Sequence, residues 1–176
     1  MKLKTGRPIL AIDPGSTAGI ALVLPPIGGL APLLYGAWTI TGSTQRAWLT
    51  RARAALDEAR SLTPAPWQVL AEKDAPARRM RRGARGAGGD KYGLATVAGM
   101  GRYRGYLMAL AWAHYPDHEP AQVLDWARGL GLPTGKRGDG SHRLAEVRSM
   151  LRAPDGYPET VDAAEAALIG CWGALQ

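Results

Sequence analysis

A chain of 176 residues with 46% hydrophobic content fits one domain. A chain of this size removes roughly 70% of its unfolded surface from water, so a core can form without covalent staples. A single cysteine, Cys171, excludes an intrachain disulfide and a zinc–thiolate cluster and suits a reducing compartment. The net charge is +7, and one segment accounts for it: Arg78, Arg79, Arg81, Arg82, Arg85, Lys91, Arg102 and Arg104 stand against Asp90 alone. Such a concentration of cations points to nucleic acid or an anionic surface. No stretch approaches the ~20 apolar residues of a membrane span. The apolar run near the N-terminus is broken by Asp13 and lacks a cleavage site, so it is not a signal peptide. A cytoplasmic protein with no membrane partner is expected.

Pro8 to Asp13 is a short apolar run ending in a carboxylate and reads as a buried strand. Pro14-Gly15-Ser16 is a turn. Gly19–Leu24 and Leu33–Ile40 read as two more strands, and their short connections suggest an antiparallel meander. From Ser43 to Leu62 the apolar residues recur at helical spacing until Pro64 and Pro66 stop the helix. Trp67 to Glu72 is another buried strand ending in a carboxylate. Residues 73–92 are rich in Arg and Gly, lack periodicity and read as a basic flexible loop within one domain spanning 1–176.

Gly93 to His114 has the helical period, with small residues that permit contact with a neighbouring helix or a second subunit. Pro120–Leu124 is a short candidate strand and His142–Leu151 a short helix. Pro158-Glu-Thr160 opens the last helix, with Thr160 as N-cap, and the helix runs through Trp172. The order describes an α/β domain with a five-stranded mixed sheet, three antiparallel strands first and parallel additions after, flanked by helices.

Two strands thus end in carboxylates, Asp13 and Glu72, and ligands of α/β sheets bind beyond the carboxyl ends of strands. Asp162 and Glu165 are three apart on an otherwise apolar helix, so they share one face. Each acid alone has a plainer explanation: Asp13 as a turn former, Glu72 as a solvated strand end, Asp162 and Glu165 as first-turn partners of the helix dipole. Gathered in one cleft, four carboxylates would raise one another's pKa and call for a hard dication. Oxygen ligands select Mg²⁺, with Mn²⁺ as a substitute. Two such ions suit in-line phosphoryl displacement.

These residues resemble the RuvC family of Holliday junction resolvases. Ile9-Leu-Ala-Ile-Asp-Pro-Gly-Ser-Thr-Ala-Gly-Ile-Ala-Leu-Val23 is similar to the family's first strand and hairpin. Val69-Leu-Ala-Glu72 is similar to the strand carrying its second acid, and Asp162-Ala-Ala-Glu165-Ala-Ala-Leu-Ile169 to its final helix. Val97 to Gly105 resembles the helix after the second acid. The resemblance covers nearly the whole chain. It implies a ribonuclease H-like fold, a homodimer, and Mg²⁺-dependent paired nicking of four-way branched DNA in recombination or repair. It implies Asp13, Glu72, Asp162 and Glu165 as catalytic metal ligands in a bacterial or phage-type member.

Two departures stand out. The fourth acid is Glu where the family has Asp. The family's junction-opening aromatic has no counterpart in Lys73-Asp-Ala-Pro76, and the chain contains no Phe. Lys136, Arg137 and Arg143 are candidates for the family's basic residue near the site, and join the eight cations above as expected nucleic-acid contacts.

Other motifs carry less. Gly131-Leu-Pro-Thr-Gly-Lys136 is too short for a phosphate-binding loop and has no Ser or Thr after the lysine. His142 reads as structural or solvated, and His114 and His118 as turn residues around Pro116. The six tryptophans read mostly as core. The competing functions are a nuclease of the same fold acting on other branched DNA or hybrids, and a binding module that grips branched nucleic acid without cutting. An actin-like kinase would need a duplicated domain, for which 176 residues leave no room.

Overall fold

The computed structural model describes residues 7–62, 68–73, 94–118, 120–133, 142–155 and 157–176, the side chains at 94–97 and 100 aside. Five strands form one sheet: β1 (Ile9–Asp13), β2 (Ala18–Leu24), β3 (Leu33–Ile40), β4 (Gln68–Glu72) and β5 (Ala121–Val123), in the order β3-β2-β1-β4-β5. The first three pair antiparallel, and β4 and β5 add in parallel to β1. The helices are α1 (Gln45–Leu62), α2 (Leu94–His114), α3 (Trp126–Gly129), α4 (His142–Met150) and α5 (Val161–Ala174). The four-residue α3 has no counterpart in the sequence reading, because one turn is too short to show a period. No described helix is long and apolar enough to cross a membrane.

Strand alternation divides the core in two. Leu10, Ile12, Ile20, Leu22, Val69 and Ala71 face α1 and α2, packing against Trp48, Ala52, Leu56, Leu107 and Ala111. Ile9, Ala11, Ala21, Val23 and Leu70 face the opposite way, onto α5. α5 is apolar almost all round because it is covered on both sides, by the sheet below and by α3 and α4 above. Its alanines and glycines allow close approach: side chains of Val23, Ala11, Leu70 and Ile9 occupy the space where Cβ atoms of Gly170 and Gly173 would stand.

The start of α5 is fixed from several directions. Thr160 Oγ1 accepts a hydrogen bond from the Ala163 amide at 3.3 Å, which makes it the expected N-cap. The Thr160 hydroxyl also bonds that of Thr39, and the Tyr157 hydroxyl engages the main chain of Ala37 on the edge strand β3. Gly19, paired with Asp13 across β1 and β2, lies directly under the Asp162 carbonyl, and any Cβ there would overlap it. Gly19→Ala is therefore expected to lift α5 from the sheet, at the roughly 1–3 kcal/mol typical of an overpacked core. Chemical denaturation against wild type checks this, and an unchanged midpoint would show that α5 does not rest on β2 at that point.

Candidate active site

The parallel register aligns Ile9 with Gln68 and Ile12 with Ala71, so Asp13 and Glu72 terminate neighbouring strands side by side. Both follow the alternation of Ile9, Ala11 and Leu70, and so face α5. The first two turns of α5 bring Asp162 and Glu165 down onto the same corner.

The electrostatics show that the four acids meet. The Asp13 carboxyl is pushed well above the usual carboxylate range, first by burial, then by the charges of Glu72 and Glu165, by its hydrogen bond to Glu72 and by the charge of Asp162. Glu165 is raised by burial and by Glu72, and drawn back down by Arg143 and by its bond to Asp13. Asp162 is raised by burial, with its own backbone amide opposing. Burial and the neighbouring acids thus favour the neutral form of Asp13 relative to an isolated carboxyl.

Among the described residues no three carboxylate, imidazole or thiol groups are arranged so that one ion could be held by all of them. Two of the acids have partners outside the cluster: the Trp126 indole donates to Glu72, and the Arg143 guanidinium faces Glu165. The donor set nevertheless fits a hard dication. It consists of carboxylate oxygens, and its concentrated negative charge has to be relieved by a proton or a cation.

The expected nucleic-acid residues fall into three groups. Arg78, Arg79, Arg81, Arg82, Arg85, Lys91, Lys136 and Arg137 lie outside the described residues, as does all but Lys73 of the basic segment 73–92. Arg102 and Arg104 lie on α2, Arg102 exposed. Arg104 donates from Nη1 to the Glu72 carbonyl at 2.6 Å, and its Nη2 is buried without a hydrogen-bond partner. Arg143 corrects the expectation: it is buried and turned inward, its Nη1 on Glu146 at 2.8 Å, its Nη2 on the Pro133 carbonyl at 3.2 Å and its Nε toward Glu165 at 3.5 Å. Two nitrogens of that guanidinium are hydrogen-bonded within the fold and the third faces Glu165.

Trp126 was not anticipated as a site residue. It is buried, and its Nε1 donates to Glu72 Oε1 at 3.1 Å. The pairing of Val123 with Glu72 carries the chain after β5 back to the acids, but that register cannot be seen in a three-residue strand read from sequence. His114 is not a turn residue either. It ends α2 with Nδ1 at the Leu110 carbonyl and Nε2 at Asp57 Oδ1, both at 2.9 Å, which ties α2 to α1.

No protein-family model matches the chain, and no curated protein matches its sequence. Solved structures do. The structure of Thermus thermophilus RuvC in complex with a Holliday junction substrate superposes with a TM-score of 0.63 at 15% identity, over 94% of this chain and 91% of that one. A second Thermus thermophilus RuvC structure gives 0.59 at 15% identity over the same shares. The fold is that of RuvC. It is the ribonuclease H-like arrangement that the resemblance implied, with Asp13 and Glu72 at the carboxyl edge of the sheet.

The raised Asp13, Asp162 and Glu165 make a prediction about stability. An acid whose folded pKa lies above its unfolded value costs nothing below both values. Its penalty grows as pH rises from the ordinary carboxylate range through the raised value. Asp13→Asn removes the most affected group. In chelator the variant is expected to melt above wild type at pH 7.5, with the gap closing toward pH 4. A gap constant from pH 4 to 8 would mean that Asp13 is not crowded by the other acids.

Proposed function

We propose that this protein is a metal-dependent endonuclease that resolves Holliday junctions by paired symmetric nicks, acting as a homodimer. The observation that carries the reading is the convergence of Asp13, Glu72, Asp162 and Glu165 from β1, β4 and α5 at one edge of a RuvC-like sheet. These four residues would hold Mg²⁺, with Mn²⁺ as a substitute. When bound, the ions supply Lewis-acid activation of water and neutralise charge at the phosphate. Glu165, faced by Arg143 Nε at 3.5 Å, would orient the attacking water or ligate the second ion.

Arg104 supports the substrate side of the reading. One amino group is anchored on the Glu72 main-chain carbonyl, at the end of an acid-bearing strand, and the other has no hydrogen-bond partner, so a small turn of the side chain would offer it to a phosphate oxygen. Arg102 and the cations at 78–91 and 136–137 extend the attraction to the DNA backbone. For the dimer, α2 supports a surface: Ala98, Gly101, Gly105, Ala109, Ala113 and Trp112 recur at helical spacing and are exposed, Trp112 by 60%. Nothing stands near Gly101 or Gly105 to fill the space a side chain would take. Two-fold symmetry would then place two acid clusters on one junction. Trp112 also departs from the expectation that the tryptophans are core.

Incubating a labelled four-way junction with protein and Mg²⁺ tests the reading. Symmetric nicks in opposing strands are expected. Asp13→Asn should lower cleavage on the order of 10³-fold, the scale of several kcal/mol of lost charge stabilisation, while leaving junction affinity in chelator intact. Nicks on flaps or hybrids with none on the junction would assign another substrate. Junction binding with no cleavage under any divalent ion would leave a binding module. For Arg104→Ala, junction affinity plotted against log salt should lose about one unit of slope. An identical slope would remove Arg104 from the phosphate contacts.

A further inference from the structure

The acid cluster is backed by a second, buried layer that links two of its members. After β5 the chain passes through Asp125 in the left-handed region (φ 60°) and turns Trp126 inward, where it is 5% exposed. From there the indole Nε1 reaches Glu72 Oε1 at 3.1 Å. Arg143, on the first turn of α4 and 7% exposed, lies with its guanidinium carbon 5.3 Å from the centre of the Trp126 ring. Its Nε faces Glu165 Oε1 at 3.5 Å, while Glu146 and the Pro133 carbonyl hold the two amino groups. A strand-borne acid and a helix-borne acid are therefore joined by one cation–π pair.

A buried guanidinium is a poor stabilising device unless every donor is met. Here each of the three nitrogens faces an acceptor, and one of these is a carboxylate of the cluster. The planar fork is what allows a single side chain to lie against an indole while facing three acceptors in different directions; an ammonium group cannot do both. The indole N–H likewise fixes Glu72 by a directional bond that a phenyl ring of similar bulk would lack.

We propose that Trp126 and Arg143 form one positioning unit, anchored by Glu146, that sets the orientation of Glu72 and Glu165 for divalent-ion binding. The proposal rests on the metal-dependent reading of the four acids and adds to it two residues that touch neither ion nor DNA. Because the two side chains touch, disturbing either should disturb both acids.

The test is calorimetric titration of Mg²⁺ into DNA-free wild type, Trp126→Phe, Arg143→Lys and the double variant. Melting curves, junction affinity in chelator and cleavage are measured alongside. Each single variant is expected to bind Mg²⁺ at least about 10-fold more weakly, the usual consequence of losing a partner that orients a metal ligand. The double variant should be little worse than the weaker single, since the two act as a unit. Junction affinity in chelator should hold while the turnover rate falls. If Arg143→Lys fails to fold, Glu146→Gln removes the anchor without touching the cluster, and the same loss of Mg²⁺ affinity is expected. Folded variants that bind Mg²⁺ as tightly as wild type would overturn the positioning role and leave the nuclease reading standing. Wild type that takes up no Mg²⁺ and cuts no junction would overturn the metal reading itself, and the positioning role with it.

Discussion

The parallel pairing of β1 with β4 is the constraint on which the site depends. Had β4 paired antiparallel to β1, or slipped by one residue, Asp13 and Glu72 would lie at opposite ends or on opposite faces of the sheet. In the observed register the two carboxylates end adjacent strands on the same face, over the path of α5. The rest follows from bringing a helix down on that corner. Gly19 has no side chain because the Asp162 carbonyl occupies its place, and α5 is built of alanine and glycine so that it can lie close enough to the sheet.

This arrangement sets packing against electrostatics. The core on the α5 side favours a dry, close-packed corner, and that dryness raises Asp13, Asp162 and Glu165 together. Four carboxylates gathered there work against the folded state at neutral pH, and the apolar contacts of α5 with the sheet and with α3 and α4 have to offset the cost. Functional sites commonly hold such conflicts, and perturbed acids in a cleft mark this one as a place for chemistry more clearly than any single residue does.

The meander, the two acid-terminated strands, the Thr160 cap and the last helix were legible in the sequence because each is a local signal: a periodicity, a turn or a cap. The four acids were legible for the same reason, as strand ends and a helix face. Arg143 was misread because, in a chain with a net charge of +7, a basic residue at a helix start looks like a phosphate contact. Only its burial and its three partners show it to be turned inward. Trp126 was invisible because its role depends on the β4–β5 pairing and on a single left-handed residue before it. Trp112 was expected inside, since periodicity locates an apolar stripe but not what covers it. α2 is apolar on more than one face, and only one of them meets α1.

On the proposed metal-dependent reading, the inward turn of Arg143 raises an apparent contradiction, because a cation beside the acids should compete with the ions. Glu146 resolves it. The guanidinium bonds Glu146 at 2.8 Å and approaches Glu165 at 3.5 Å, so the closer acid takes most of its charge. Taken together, Arg143 and Glu146 are neutral. They can direct Glu165 by geometry without cancelling the negative charge that makes the cluster attractive to a dication. An arginine without Glu146 would pull harder on Glu165 and weaken the site it was meant to order. On that reading the Arg143–Glu146 pair keeps Glu165 aligned while leaving the negative charge of the corner to the ions.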